Sequence, residues 1–397
     1  MAKKQDMSRA GIETKMVRGG TLRSQYGEVS EAIWMNSGFC YDSAETAEKR
    51  FNGEEPGFVY TRYLNPNLAM LEDRLALLEG AERACVVGSG MAAVFASMMS
   101  FLKAGDHVVA SKVLFGSCHY IITQILPRFG ISYTLVDADD LDGWKKAMRN
   151  ETMCVFIESP ANPTLDVVDI EAVCKIAHAA EAFVIIDNVF ATPLYQKPLE
   201  LGADAVVYST TKHIDGQGRT LGGAVLGSEK YIDEVVMPFH RHTGPALSPF
   251  NAWIILKSLE TLTLRVHQQT ETAQKVAEML EAHDKVEQVL YPGLASHPQH
   301  SVIAKQMSGA GSLMAIRIKG GKQSAFKMMN ELNIIDISNN LGDAKSIITH
   351  PATSTHSNIE KSERDALGIG ENLLRLSIGL ETAEDLLHDL DQALYQL

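Results

Sequence analysis

From about residue 68 to residue 226, short apolar runs alternate with helix-length segments whose apolar positions recur every three or four residues. The runs are Ala84–Val87, His107–Ala110, Tyr133–Val136, Cys154–Ile157, Phe183–Ile186, Ala205–Tyr208 and Gly222–Leu226. Most are hydrophobic almost throughout instead of alternating with polar residues, which is how a strand covered on both faces reads. Met91–Leu102, Ser117–Phe129 and Ile170–Ala180 carry helical spacing between them. Strand and helix in turn predict an α/β fold, a mostly parallel sheet covered by helices on both faces.

Beyond that region the pattern changes. From Leu247 to about His283 the spacing stays helical with no breaker after Pro249, which predicts one long, bent helix leading out of the domain. Strands at Val286–Tyr291 and Gly311–Ile318 and a helix near Gln323–Leu332 then make a second, smaller α/β unit. Residues 1–63 show little periodicity and hold Gly19, Gly20, Gly27, Gly53 and Gly57, so they read as an extended arm that needs a partner surface. A chain of 397 residues exceeds what one hydrophobic core serves. The predicted division is an arm over 1–63, a central domain over 64–258 and a C-terminal domain over 259–397.

Composition narrows the classes. A hydrophobic fraction of 45% and a charged fraction of 21% are those of a soluble globular protein. The net charge of −13 argues against a nucleic-acid surface and, being spread along the chain, reads as solubility. Ala84–Leu102 is uncharged and long enough to suggest a membrane span, but Gly88-Ser89-Gly90 divides it into a strand and a buried helix, so no membrane role is expected. Cys40, Cys85, Cys118, Cys154 and Cys174 are scattered, which fits a reduced, cytoplasmic chain with neither disulfides nor a zinc site. The polar N-terminus precedes no apolar run, so no signal peptide is expected. His240-Arg241-His242 and His297-Pro298-Gln299-His300 have metal-like spacing, yet no carboxylate or cysteine completes them; they read as solvated or interfacial, and no metal is expected.

The candidate chemistry lies at strand ends. Phe183–Ile186 runs into Asp187, and twenty-five residues later (212 minus 187) Ala205–Tyr208 has run through Ser209, Thr210 and Thr211 into Lys212. A carbonyl cofactor with a pyridine ring needs both groups: an amine to hold its aldehyde and a carboxylate to keep the ring nitrogen protonated as an electron sink. Alone, Lys212 reads as a solvated lysine and Asp187 as a helix cap; together they point to pyridoxal phosphate. Gly88-Ser89-Gly90-Met91 joins a strand to a helix, whose first N–H groups form a phosphate cradle, although such turns also occur without phosphate. Ser209 and Thr211, two apart, offer hydroxyls on one side, for a phosphate or for turn capping. Tyr60 and Arg62 share that spacing and suit phosphate capture. Phe115 follows a strand and precedes a helix, placed to stack on a ring or to pack in the core. Arg375, between Leu374 and Leu376, wants an anion, either an amino-acid α-carboxylate or a structural partner.

Several motifs in one order resemble the Cys/Met-metabolism family of pyridoxal-phosphate enzymes, which includes cystathionine synthases and lyases, methionine γ-lyases and homoserine-ester sulfhydrylases. They are Tyr60-Thr61-Arg62-Tyr63-Leu64-Asn65-Pro66, Glu158-Ser159-Pro160-Ala161-Asn162-Pro163-Thr164, Asp187-Asn188, Ser209-Thr210-Thr211-Lys212 and Arg375-Leu376-Ser377. The resemblance implies the aspartate-aminotransferase type of fold, with 64–258 binding the cofactor, and a homotetramer built from two tight dimers. It implies that Lys212 holds the cofactor, Asp187 its ring nitrogen, and Gly90, Met91, Ser209 and Thr211 its phosphate. Tyr60 and Arg62 would reach the phosphate of the neighbouring subunit, Asn162 would lie near the 3′-oxygen, and Arg375 would take the substrate α-carboxylate.

The departures matter as much. Phe115 stands where most of the family has tyrosine, and Ser117 where methionine γ-lyases carry a reactive cysteine. Gly216-Gln217-Gly218-Arg219 replaces the usual Gly-His-Ser-Asp, and Asn340-Leu341-Gly342 replaces Ser-Leu-Gly. With Thr14–Gly20, these look most like the branch that joins O-succinylhomoserine to sulfide, a γ-replacement in methionine biosynthesis. Asn340 is then a substrate-side candidate, and Arg219 either reads the succinyl carboxylate or forms a structural ion pair. A cystathionine-forming or acetyl-ester enzyme is the neighbouring alternative, and a cofactor-binding regulator the non-enzymatic one.

Overall fold

The computed structural model describes Met7 and residues 9–397. Seven strands, β1 (Arg83–Val87), β2 (His107–Ser111), β3 (Ser132–Val136), β4 (Thr152–Glu158), β5 (Phe183–Asp187), β6 (Ala205–Tyr208) and β7 (Gly223–Gly227), are ordered β1-β7-β6-β5-β4-β2-β3. Each predicted apolar run is a strand to within about two residues. β2 pairs in parallel with β3 and β4, and β4 with β5, whereas β1 runs antiparallel to β7. An apolar run covered on both faces looks the same in either direction, so that reversal left no trace in the pattern.

The chain forms two compact units. One comprises the described residues up to Ser100 with Val207–Thr211 and Arg219–Thr261; the other comprises Phe101–Val206, Lys212–Gly218 and Leu262–Leu397. The second unit carries a further sheet of β8 (Val286–Leu290), β9 (Leu313–Ile318), β10 (Asp336–Ile337), β11 (Ile347–Thr349) and β12 (Leu373–Ser377), in the order β10-β11-β12-β9-β8. Its central strand β12 is buried along its whole length and is antiparallel to both neighbours, which sets Arg375 between Thr349 and Ala315.

Two predicted helices break into pieces. Ser117–Phe129 becomes an α-helical turn over Gly116–Tyr120, a wide turn over Ile121–Ile125 in which Leu126 N–H reaches Ile121 C=O, and a tight turn from Leu126. Pro127 has no N–H to continue the ladder. The long helix divides into Pro249–Leu259 and Leu262–Ala282. At the division, Ser258 and Thr261 turn their hydroxyls back onto the carbonyls of Ile254 and Ser258, competing with the helical bonds. The histidine motifs also differ from expectation. His240 and His297 are 2% and 3% exposed, with ring nitrogens bonded to the carbonyls of Arg62 and Leu165, while His242 and His300 face solvent. Spacing alone does not reveal which histidine finds a buried carbonyl.

The arm carries helices at Ile12–Arg18 and Ala44–Phe51 and is fixed within its own unit by polar groups. Asn67 accepts from Trp34 N–H and donates to Ala32 C=O, both at 2.8 Å. Arg74, fully buried, binds Gly19 C=O at 2.9 Å and Glu31 at 2.8 Å, and Lys257 meets the other oxygen of Glu31 at 2.9 Å. Burial raises the Glu31 carboxyl, but Lys257 and Arg74 outweigh it and hold it at about 2. Its contribution to stability is therefore complete above the ordinary value of 4.5 and is lost as pH falls toward 2. Glu31→Gln leaves Arg74 buried without its counter-charge and should cost about 3–5 kcal/mol. Thermal unfolding at neutral pH checks this, with the gap between variant and parent closing on acidification.

Candidate active site

In the second unit, the parallel register of β4 and β5 sets Glu158 opposite Asp187, each the last residue of its strand. Both are nearly sealed from solvent, at 4% and 8% exposed. A carboxyl oxygen of each and the Cys118 sulfur all lie within 4.8 Å of one another. Burial raises the Asp187 carboxyl to about 7, against the pull of Val189 N–H. Burial, and then the charge of Asp187, raise Glu158 well above the usual carboxylate range. Among the described residues neither carboxylate has a lysine or arginine in ion-pair contact; the charge of Arg375 lowers Glu158, but less than burial and Asp187 raise it. A protonated pyridine nitrogen would supply a cation in direct contact.

Glu158 also binds two backbone groups: one oxygen accepts from Phe115 N–H at 2.6 Å, the other from Asn162 N–H at 2.8 Å. Asn162 in turn accepts from Arg375 Nη1 at 2.8 Å, and Arg375 Nη2 donates to the carbonyls of Asn339 and Asn340 at 3.0 Å. The Asn340 side chain accepts from Lys212 Nζ at 2.6 Å. One hydrogen-bonded series therefore links Phe115, Asn162, Arg375, Asn340 and Lys212, beside Asp187. Burial, then the charge of Arg375, lower the Lys212 amine to about 8, which raises its neutral, nucleophilic fraction near physiological pH far above that of a solvated lysine. Arg375 is 1% exposed and its Nε has no hydrogen-bond partner, a buried donor waiting for an acceptor.

In the first unit, the helix Gly90–Met99 begins just after β1, with Ser89 capping Ala92 N–H at 3.1 Å. The N–H groups of Gly90 and Met91 fall in the first turn, where no intrahelical carbonyl serves them. Gly90 lies against Ser209: a Cβ there would come 2.6 Å from that of Ser209. Among the described residues the Ser209 hydroxyl has no protein partner, whereas Thr211 Oγ1 bonds both N and O of Gly222. The first unit thus brings a helix start and a spare hydroxyl together, the donor set of a phosphate cradle.

Tyr60 and Arg62 are neighbours as their spacing predicts. The Arg62 guanidinium lies 5.3 Å from the Tyr60 ring centre and 4.9 Å from that of Tyr63, and it donates to Arg241 C=O. Arg219 is exposed, and its Nη2 donates to Ser258 Oγ. Glu158 is the residue that sequence reasoning passed over. It was visible only as part of a motif, although it ends an apolar strand as Asp187 does, which was the signal available.

A family model described as Cys/Met metabolism PLP-dependent enzyme matches residues 13–395. An O-succinylhomoserine sulfhydrylase of Mycobacterium tuberculosis is 51% identical over 382 residues, covering 95% of this chain and 94% of the relative. An L-methionine γ-lyase of Porphyromonas gingivalis is 43% identical over the full length of both chains. Among solved structures, a putative O-acetylhomoserine (thiol)-lyase of Campylobacter jejuni, containing N′-pyridoxyl-lysine-5′-monophosphate, superposes with a TM-score of 0.93 at 33% identity, covering 97% of this chain and all of that one. The fold is that of the fold-type-I enzymes of this group. With a family match that spans nearly the whole sequence, and a buried carboxylate, a half-buried lysine and a buried arginine in the order the motifs require, the chain belongs to the Cys/Met-metabolism family of pyridoxal-phosphate-dependent enzymes.

Proposed function

We propose that the chain catalyses γ-replacement, converting O-succinyl-L-homoserine and sulfide to L-homocysteine and succinate in cytoplasmic methionine biosynthesis. The observation that carries an amino-acid substrate is the series Lys212–Asn340–Arg375, in which a nucleophilic amine and an unfilled guanidinium donor share one half-buried hydrogen-bonded group. The 51% identity to a sulfhydrylase supports the succinyl ester and sulfide. The full-length γ-lyase relative keeps elimination as the second reading, and Ser117, where the family's γ-lyases carry cysteine, favours replacement.

Pyridoxal phosphate supplies an electron sink that acidifies the substrate's Cα and then Cβ hydrogens. The protein's part is to hold and to move protons. Asp187 would keep the ring nitrogen protonated, Phe115 would stack on the ring, and Asn162 would lie near the 3′-oxygen. Gly90, Met91, Ser209 and Thr211 would hold the phosphate, and Tyr60 and Arg62 would reach that of the neighbouring subunit in a homotetramer made of two dimers. Arg375 takes the substrate α-carboxylate. Lys212, its amine held by Asn340, carries protons from Cα and Cβ and back; Phe115 has no phenol to share that work. Arg219 reads the succinyl carboxylate, and its bond to Ser258 leaves the structural alternative standing.

A panel of succinyl-, acetyl- and phosphohomoserine against sulfide and cysteine, with products identified, tests the assignment. Succinylhomoserine with sulfide should be turned over fastest; a preference for cysteine moves the chain to the cystathionine-forming enzymes, and α-ketobutyrate release without sulfide to the lyases. Because the Lys212 amine titrates at about 8, capture of pyridoxal phosphate by the cofactor-free protein should accelerate as pH rises through 8 and level off above it. Lys212→Ala should capture none covalently; borohydride reduction and peptide mapping read the attachment site. Mixed dimers of inactive Lys212→Ala and inactive Arg62→Ala chains should recover activity, since one intact site forms per mixed dimer. Verified mixed dimers without activity would mean that Arg62 serves its own chain.

A further inference from the structure

Glu158 is the one buried carboxylate of the site group that the proposed reaction leaves without a task. It ends β4, sits opposite Asp187 across the β4–β5 register, and uses both oxygens, one on Phe115 N–H and one on Asn162 N–H. Phe115 follows β2 and opens the helical turn Gly116–Tyr120, whereas Asn162 belongs to the turn after β4. A single side chain therefore ties two loops together and keeps a second carboxyl group within 4.8 Å of Asp187.

We propose that Glu158 is a positioning residue for the cofactor, holding Phe115 and Asn162 at their places beside the ring and adding a second carboxylate behind Asp187 that favours a protonated ring nitrogen. The inference rests on the reading that Asp187 meets that nitrogen. The geometry separates the two parts of the role. Glutamine keeps the length of the side chain, but its NH2 group must face one of the two N–H donors, and it carries no charge. Aspartate keeps the charge, but, one methylene shorter, it cannot reach both donors.

The test uses cofactor-free full-length protein and two probes: pyridoxal phosphate and its carbocyclic analogue with CH in place of the ring nitrogen. The parent protein should bind pyridoxal phosphate more tightly than the analogue. Glu158→Gln should lose about tenfold or more in affinity for pyridoxal phosphate, the scale of a lost hydrogen bond to a charged group, and less for the analogue, so that discrimination shrinks. Glu158→Asp should weaken both probes by a similar factor and keep discrimination. With cofactor labelled at the ring nitrogen, the 15N resonance of Glu158→Gln should move toward the unprotonated position, which loosened packing alone would not produce.

Equal losses for both probes in Glu158→Gln with an unmoved 15N resonance overturn the electrostatic part. Unchanged affinity in both variants overturns the positioning part. Asp187→Asn is the control: if it also leaves discrimination intact, the reading of Asp187 has failed, whereas lost discrimination there alone rejects only the role of Glu158. If Glu158→Gln does not fold by circular dichroism, Glu158→Asp and the parent protein still decide. A parent without discrimination, or an aspartate variant that loses it, overturns the proposal.

Discussion

Two buried carboxylates at the ends of neighbouring parallel strands need a positive partner, and the site group is arranged around that need. Burying one carboxylate is costly, and a second nearby adds repulsion: burial raises both, and the charge of Asp187 raises Glu158 further. Backbone N–H groups from Phe115, Asn162 and Val189 offset part of this cost. A ring nitrogen that must stay protonated is the natural complement. The same bonds that make the pair tolerable also fix the loops on either side, which couples the electrostatics of the site to its shape.

A second electrostatic relation runs through Arg375 and Lys212. Both are cations in a poorly solvated place, and the fixed charge of Arg375 joins burial in lowering the lysine's proton affinity. The arginine's own burial is made tolerable by Asn162 and by the carbonyls of Asn339 and Asn340, and the central place of β12 leaves it little freedom to move. Its remaining donor suits a carboxylate. Arg375 thus has two consequences at once: it suits an amino-acid substrate, and it leaves the lysine partly neutral.

In the first unit, close approach of backbone replaces charge as the organising constraint. A side chain at Gly90 would collide with Ser209, and one at Gly223 would come 2.2 Å from Ser89 C=O. Only glycine lets the helix start lie so near the end of β6 and the start of β7. The arm obeys a third rule, since Met16 is the only fully buried apolar side chain among its described residues. It is tied by Asn65, Asn67 and Arg74 instead, and so depends on the charge of Glu31.

The seven strands, the carboxylate that ends β5 and the lysine after β6 were all legible in the sequence, because apolar runs and the residues that interrupt them are local facts. So was the motif order that marks the family. Strand direction at β1, the division of the Leu247–His283 helix and the burial of His240 and His297 were not, since each depends on which distant groups are near. The same holds for Glu158. Its position at the end of an apolar run was plain, but its grip on Phe115, 43 residues earlier, and its place beside Asp187 exist only once β4 and β5 are paired. Likewise Asn340 and Lys212 lie 128 residues apart, and no local pattern joins them. The sequence by itself determined which chemical groups are present and on which elements they sit. Tertiary structure alone decided their protonation, because burial and the charges of neighbours set it, and both come from packing between segments remote in the chain.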